Sequence, residues 1–212
     1  MSKTTKQRIL DEALNMFAEN GYKGTNLRDL AQALGISKTA LYRHFTNKED
    51  IWNSIVESGE KYYEEHFGSA EDLPPTPDTT DGLLTLTMHQ VEFTVHDPFV
   101  KKIRRLLAME QFRNERMAQM ATNHYMTGIE KIYTAVFGNM MAKGLMKRDD
   151  PAILALEYVS PITMLVHLCD REPAKTEESI ERIRKFINHF ITVYGTGTAC
   201  IKSNNYQGEH SR

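Results

Sequence analysis

Residues 27–45 contain two short amphipathic segments joined by a glycine, and this pattern constrains the fold more than any other feature of the chain. Apolar residues recur at i, i+3, i+4 and i+7, the spacing of one helix face: Leu27, Leu30, Ala31 and Leu34. Gly35 predicts the end of that helix, because glycine adopts the left-handed conformation at little cost. Asn26 and Ser37 are placed to cap the first and the second helix. Two short helices joined in this way, with the helix of residues 9–18 packed beneath them, predict a helix-turn-helix.

The second short helix has an apolar and a polar side. Ile36, Leu41 and Phe45 are expected to face inward. The residues left facing outward are Lys38, Thr39, Tyr42 and Arg43. In a helix-turn-helix the second helix enters the major groove of DNA. A polar outer face is also common on helices that bind nothing, so the spacing alone leaves DNA binding as one of two interpretations.

The chemistry of these side chains suits nucleic acid. Arg43 could bond O6 and N7 of a guanine, and the Thr39 hydroxyl could reach a base edge. Donors that suit phosphate oxygens are Tyr42, His44 and Lys48. Thr25 and the amides at the start of the following helix predict a further phosphate contact, since helix N-termini attract anions.

Net charge limits the kind of DNA binding that is expected. The 212-residue chain has a formal net charge of -2 at pH 7. Binding that coats nucleic acid without regard to sequence depends on phosphate contacts and therefore favours a strongly basic chain. With 41% hydrophobic and 25% charged residues, the composition is that of a globular protein.

The rest of the chain is predicted to form further helices separated by short loops. Helical spacing covers residues 48–67 and resumes at 83–96, after a proline-rich loop. Asp97-Pro98 and Asp150-Pro151 each predict a cap followed by a proline in the first helical turn. The most apolar window, residues 152–169, is interrupted by polar residues, which favours a buried helix over a membrane span. The predicted fold class is all-α: an N-terminal three-helix helix-turn-helix domain over 1–47, a helical domain over 48–196 and a polar tail over 197–212.

The joined segment "RILDEALNMFAENGYKGTNLRDLAQALGISKTALYRHFTNKEDIW" closely resembles the DNA-binding region of the tetracycline-repressor (TetR) family. The matching positions are Ala13, Phe17, Gly21-Tyr22, Thr25, Leu30-Ala31, Gly35-Ile36-Ser37, Leu41-Tyr42, His44-Phe45 and Lys48-Glu49. The resemblance covers about the first quarter of the chain. It implies an all-helical homodimer that binds a palindromic DNA operator, usually as a repressor released by a small-molecule effector. Separately, eleven methionines and two thiols fit a reducing cytoplasm, the expected location. It also implies base contacts from Lys38, Thr39 and Arg43, and phosphate contacts from Thr25, Tyr42, His44 and Lys48. Asn26 departs from the family's more usual Ser or Thr, which changes the cap chemistry little.

Dimerisation and effector binding are expected in the second domain. The segments 151–168 and 177–194 carry apolar surface that a four-helix bundle between two copies would bury, although a monomer core could bury it as well. Candidate pocket residues, for which ordinary core packing is the alternative, are Met88, Phe93, Met109, Phe112, Tyr125, Tyr133, Tyr158 and Met164.

Four other interpretations remain open at this stage. His89, Glu92 and His96 share a helix face and could hold a metal ion, although no second ligand cluster accompanies them, so no metal or cofactor is predicted. Cys169 and Cys200 could sense oxidants, but a buried thiol and a tail thiol are the simpler reading. No nucleophile–base pair or phosphate loop supports an enzyme built on a helical bundle, and an activator would share every residue named above.

Overall fold

The computed structural model describes residues 3–67 and 76–197, and this part of the chain is helical apart from an isolated antiparallel bridge between Met146 and Gly195. The α-helices are α1 (Thr5–Gly24), α2 (Leu27–Ala33), α3 (Lys38–Tyr42), α4 (Lys48–Phe67), α5 (Thr80–His96), α6 (Pro98–Glu110), α7 (Glu115–Thr122), α8 (Gly128–Ala142), α9 (Pro151–Arg171) and α10 (Thr176–Tyr194). A π-helical turn, Asn123–Thr127, joins α7 to α8, and a 3₁₀ turn, Pro173–Lys175, precedes α10. The predicted all-α fold class is confirmed.

Local capping fixes α2 and α3 as the sequence predicts. The Asn26 side chain accepts hydrogen bonds from the amides of Arg28 and Asp29 at 2.9 Å each, which caps α2. Ser37 Oγ accepts from the Ala40 amide at 3.1 Å and caps α3. Gly35 has φ +65°, the left-handed conformation that ends α2 and turns the chain into α3.

A first hydrophobic core joins the helix-turn-helix to α4, α6 and α7. Its buried residues are Ile9, Ala13, Leu14, Phe17, Leu30, Ala31, Leu41, Phe45, Ile51, Trp52, Ile55, Val56, Ile103, Leu106, Leu107, Met117 and Ala121. This core crosses residue 47, so the helix-turn-helix shares its apolar interior with the helices that follow. The division at residues 47 and 196 stays a prediction, and residues 198–212 of the predicted tail lie outside the described residues.

A second hydrophobic core is formed by α5, α8, α9 and α10. At its centre the hydroxyl of buried Thr87 lies 3.0 Å from the hydroxyl of Tyr133 and 2.8 Å from that of Tyr158. These bonds satisfy polar groups that would otherwise be costly to bury.

The most apolar helix, α9, begins as the sequence predicts. Asp150 accepts from the amides of Ala152 and Ile153, and Pro151 occupies the first turn. Among the described residues it is the helix whose length and composition would allow it to cross a membrane. One face of it, including Leu154, Ala155 and Tyr158, packs into the second core.

Candidate functional site

The outer face of α3 presents a group of polar side chains to solvent. Lys38, Thr39, Arg43 and His44 are exposed, and 43% of Tyr42 is exposed. The Lys38 ammonium lies 5.7 Å from the centroid of the Tyr42 ring, within cation–π range. Five of the seven residues predicted to contact DNA are therefore exposed on α3 or directly after it.

The opposite face of α3 anchors it to the first core. Leu41 is fully buried and Phe45 is 2% exposed, while Ile36 is half-buried against the same cluster. Because apolar burial fixes the rotation of this short helix, its polar side chains cannot turn inward without exposing Leu41 and Phe45. This agrees with the predicted inward and outward faces.

Thr25, which was predicted to contact phosphate, is buried and bonded to the backbone. Its side chain is 1% exposed, and its hydroxyl donates to the carbonyl of Gly21 at 3.1 Å. The amides of Arg28 and Asp29, predicted to be free for phosphate, are already bonded to Asn26. In this structure the hydroxyl closes the end of α1, and a phosphate contact from Thr25 stays a prediction.

Lys48 also has a structural role that the sequence did not indicate. Its ammonium donates to the carbonyls of Tyr22 at 2.7 Å and Thr25 at 2.8 Å, and lies 4.3 Å from the centroid of the Tyr22 ring. An ammonium has three N–H donors, so these bonds account for two of them. Lys48 therefore holds the α1–α2 connection against α4, and a phosphate would be reached through the remaining donor.

A buried carboxylate connects α6 to the helix-turn-helix. Glu110, the last residue of α6, is 3% exposed, and its Oε1 accepts from the Tyr22 amide at 3.0 Å. Next to that amide, Gly21 has φ 72° and ψ 170°, and a Cβ placed there would lie 3.0 Å from the same Oε1. The partners are separated by 88 positions, so no local pattern could have revealed the contact.

The second domain contains a small cavity of about 70 Å³. Its lining residues come from α5, α6, the π-helical turn, α8 and α9: Thr87, Gln90, Val91, Thr94, Arg104, His124, Tyr125, Ile129, Tyr133, Val159, Ile162, Thr163, Val166 and His167. A largely apolar wall with a few polar groups is typical of a small-molecule site.

Two of the eight predicted pocket residues, Tyr125 and Tyr133, line this cavity. Tyr158 lies behind the wall, where it bonds Thr87. The other five lie elsewhere: Met88 is in the second core, Phe93 stacks on His66, Met109 is half-buried on α6, and Phe112 and Met164 are 90% and 61% exposed. Phe112 is exposed because α6 ends at Glu110, which leaves Phe112 in the following turn.

Polar groups collect at one side of the cavity. The fully buried Arg104 side chain donates to Asp170 from Nη2 at 2.5 Å and from Nε at 2.9 Å, and to the Thr94 carbonyl. The Tyr125 hydroxyl donates to the Arg104 carbonyl at 3.2 Å. Asp170 thus ties α6 to α9 directly beside the cavity.

Burial controls the protonation of the ionisable groups in the wall. Burial, with Arg104 and His167 nearby, lowers the pKa of His124 to about 4. The pKa of His167 is also lowered, mainly by burial, with Arg171 and Arg104 acting in the same direction and Asp170 against it. Burial raises the pKa of the Tyr125 and Tyr133 phenols. At neutral pH these imidazoles and phenols are therefore uncharged.

The residues of the hypothesised metal and thiol sites make ordinary helix-surface and backbone contacts. His96 Nε2 lies 3.2 Å from Glu92 Oε2, on an exposed face of α5. Within the described ranges no group of three or more His, Cys, Asp or Glu side chains is arranged to hold a metal ion. Cys169 is buried and donates to the Leu165 carbonyl at 3.3 Å, and Cys200 lies outside the described residues.

Large apolar side chains remain exposed on α9 and α10. Ile153 is 58% exposed, Leu156 48%, Met164 61% and Val193 39%. These residues lie on the two segments for which dimerisation was predicted. A single chain leaves them in water.

Comparison with known proteins finds a family match for the N-terminal region. Residues 9–55 match the model of the bacterial regulatory proteins of the tetR family. A curated relative is the biofilm operon icaADBC HTH-type negative transcriptional regulator IcaR of Staphylococcus epidermidis, 41% identical over 58 residues. That match spans 27% of this chain and 31% of the relative, so it concerns the N-terminal region of both.

Solved structures extend the likeness to the whole fold. A TetR-family transcriptional regulator from Mesorhizobium loti superposes with a TM-score of 0.66 at 20% identity, covering 91% of this chain and 100% of that one. SmeT, the repressor of the Stenotrophomonas maltophilia multidrug efflux pump SmeDEF, gives a TM-score of 0.64 at 20% identity over 93% of each chain. A complex of SmeT with triclosan gives 0.66 at 18% identity, covering 99% of this chain and 100% of that one. Residues 9–55 therefore match the DNA-binding region of the tetR family of bacterial regulatory proteins, and the chain as a whole shares the all-helical fold of these solved regulators.

Proposed function

We propose that this protein is a cytoplasmic transcriptional regulator that binds a palindromic DNA operator as a homodimer and acts most simply as a repressor released by a small molecule. The observation that carries the proposal is the anchored helix α3, whose buried Leu41 and Phe45 hold a row of donors outward. In this assignment Lys38, Thr39 and Arg43 contact bases, and Tyr42, His44 and Lys48 contact phosphates. The backbone near Thr25, rather than its hydroxyl, contributes at the edge of that surface.

Homodimerisation is supported by the exposed apolar residues of α9 and α10. Leu156 and Met164 on α9 expose 48% and 61% of their surface. A second copy of the chain would remove this surface from water, and a pair of recognition helices roughly 34 Å apart would match two half-sites of a palindrome.

Helix α6 is the proposed connection between the cavity and DNA. Ile103, Leu106 and Leu107 belong to the first core, whereas Arg104 on the same helix lines the cavity. Glu110 lies six residues further on, about 9 Å along the helix axis. A molecule that changes the position of Arg104 would therefore move the residue that holds the Tyr22 amide, and with it the helix-turn-helix.

Such a molecule acts by shifting populations. If it prefers an arrangement in which the two recognition helices no longer match the operator, it lowers the DNA-competent fraction. The solved complex of SmeT with triclosan supports the idea that this fold can accept a small molecule.

Two alternative functions share part of this evidence. A transcriptional activator would use the same recognition surface, and only measurement of target transcription separates it from a repressor. A helical-bundle enzyme would need turnover of a bound molecule, and the relatives named above are transcriptional regulators.

The test is recovery of fragmented DNA from the source genome on purified protein. One or a few palindromic sites should be enriched by the native chain and lost with Arg43→Ala, while Tyr42→Phe should weaken recovery. Arg148→Ala, which removes an exposed arginine outside the helix-turn-helix, is the matched control and should behave as the native chain. Enrichment without sequence preference would contradict the proposal and favour a DNA-binding protein of low specificity.

A further inference from the structure

A series of hydrogen bonds leads from the second core to the cavity wall. The Tyr133 hydroxyl donates to Gln90 Oε1 at 2.7 Å, which uses the single proton of that hydroxyl. The Thr87 hydroxyl, 3.0 Å away, must therefore donate to Tyr133. Because the Thr87 proton is then used as well, the Tyr158 hydroxyl, 2.8 Å from Thr87, donates to it. The series has one direction, and it ends at the side chain of Gln90.

The amide of Gln90 retains donors that this series does not use. Its oxygen accepts from Tyr133, whereas its Nε2 makes no hydrogen bond within the described parts of the chain, so both of its N–H groups lack a protein partner there. Gln90 lines the cavity and is half-buried. Removing solvent from these donors is costly unless the molecule that replaces it brings an acceptor atom.

The described part of the cavity wall, taken with Asp170 behind it, carries no net charge at neutral pH. The guanidinium of Arg104 is bonded through Nη2 and Nε to the Asp170 carboxylate. Burial lowers the pKa of His124 and of His167, so both imidazoles are neutral. An ammonium or a carboxylate entering this cavity would lose its hydration and find no uncompensated opposite charge among these groups.

The remaining wall is largely apolar, and the space is small. Branched hydrocarbon side chains line it: Val91, Ile129, Val159, Ile162 and Val166. The volume of about 70 Å³ is roughly half that of an apolar cavity that admits benzene, about 150 Å³. The group that fits inside is therefore a short hydrocarbon of a few non-hydrogen atoms, and any larger part of a ligand would lie toward solvent.

We propose that the effector is an uncharged carbonyl compound, such as a ketone or an ester, whose small apolar group fills this cavity and whose oxygen accepts a hydrogen bond from the Gln90 amide. This inference rests on the proposed function, because it assigns a chemistry to the proposed effector cavity. The carbonyl oxygen satisfies a donor that the hydrogen-bond series leaves over, and the valines and isoleucines contact the hydrocarbon.

Four probes of equal size test this chemistry: butanone, the matching alkene in which a CH₂ group replaces the oxygen, sec-butylammonium and propionate. Titration of the full chain, labelled at its valine and isoleucine methyl groups, gives both an affinity and a location by NMR. Butanone should shift the methyl resonances of Val91, Val159 and Ile162. It should bind at least about tenfold more tightly than either ion, because neither ion recovers its lost hydration.

Variants of Gln90 test the contact with the oxygen. Gln90→Glu keeps an acceptor for the Tyr133 hydroxyl but removes both N–H donors, so the affinity for butanone should fall about three- to tenfold. The affinity for the alkene should change by less than about twofold. Gln90→Met, which removes the amide without adding a charge, should show the same difference between the two probes. Gln119→Glu, on an exposed face of α7, is the matched control and should leave both affinities unchanged.

Three results would overturn the proposal. They are binding of either ion as tightly as butanone, a loss of affinity in both Gln90 variants that is equal for butanone and the alkene, and the absence of methyl shifts with butanone. Recovery of a specific operator by the native chain without any probe distinguishes these results from a failure of the proposed function.

Discussion

Replacement of Gly21 by alanine tests the contact between α6 and the helix-turn-helix. Gly21 has φ 72° and ψ 170°, a region that is essentially restricted to glycine and costs other residues about 1–3 kcal/mol. The new Cβ would also lie 3.0 Å from Glu110 Oε1, which is buried and accepts from the Tyr22 amide. Displacing this oxygen weakens a bond to a charged acceptor worth about 1.5–3 kcal/mol.

We therefore expect Gly21→Ala to lower the free energy of unfolding by about 2–4 kcal/mol, because part of each cost is relieved by small shifts. Urea unfolding followed by Trp52 fluorescence measures this directly. Trp52 is the only tryptophan in the sequence, and its ring lies 5.3 Å from that of Phe17 and 4.8 Å from that of Tyr22. Its emission therefore reports on the core that contains the contact.

Gly35→Ala is the matched control. Gly35 also has a positive φ, +65°, but a Cβ there would meet nothing within 4 Å. Gly35→Ala should lower the free energy of unfolding by about 1–2 kcal/mol, which is the cost of the left-handed backbone conformation alone. If Gly21→Ala costs no more than Gly35→Ala, or if its cost is the same in a Glu110→Ala background, then the reasoning about Glu110 is wrong.

Three further predictions concern the dimer, the second core and pH. Leu156→Glu should convert a homodimer into monomers in analytical ultracentrifugation, whereas Lys131→Glu on the exposed surface of α8 should leave the dimer intact. If the Leu156→Glu variant is still a dimer, the proposed interface is wrong. Thr87→Val removes the hydroxyl that bonds two buried tyrosines and should cost about 1–3 kcal/mol in thermal unfolding, and a smaller loss would mean that the tyrosines find other partners. The pKa of His124 is about 4 when folded against 6.5 when unfolded, so the unfolded chain binds more protons and stability should fall between pH 6.5 and pH 4. His124→Asn should lose part of that dependence, and an unchanged profile would contradict the assignment.

The helix-turn-helix could be predicted from sequence because its determinants are local. Apolar residues at helical spacing fixed the buried faces, and Asn26, Gly35 and Ser37 fixed the boundaries within a few residues. The outward direction of Lys38 and Arg43 follows from the burial of their neighbours.

The cavity could not be predicted in the same way, because its determinants are distant in the chain. Arg104 and Asp170 are 66 positions apart, and neither residue type indicates which partner it will find. Helix α9 is apolar on most sides, so periodicity did not distinguish Met164, which faces solvent, from Ile162, which lines the cavity. Aromatic and methionine side chains suggested a pocket, whereas the wall contains more threonine, valine, isoleucine and histidine.

The most direct test of the central claim is a hydroxyl-radical footprint of the protein on an enriched genomic fragment, together with the number of chains bound per fragment. The account predicts two protected half-sites of a palindrome centred roughly 34 Å apart, or a multiple of that distance, on one face of the duplex. Two or more chains in even number should be bound, and protection should be lost with Arg43→Ala. A continuous footprint that lengthens with protein concentration, or protection unaffected by that substitution, would contradict it.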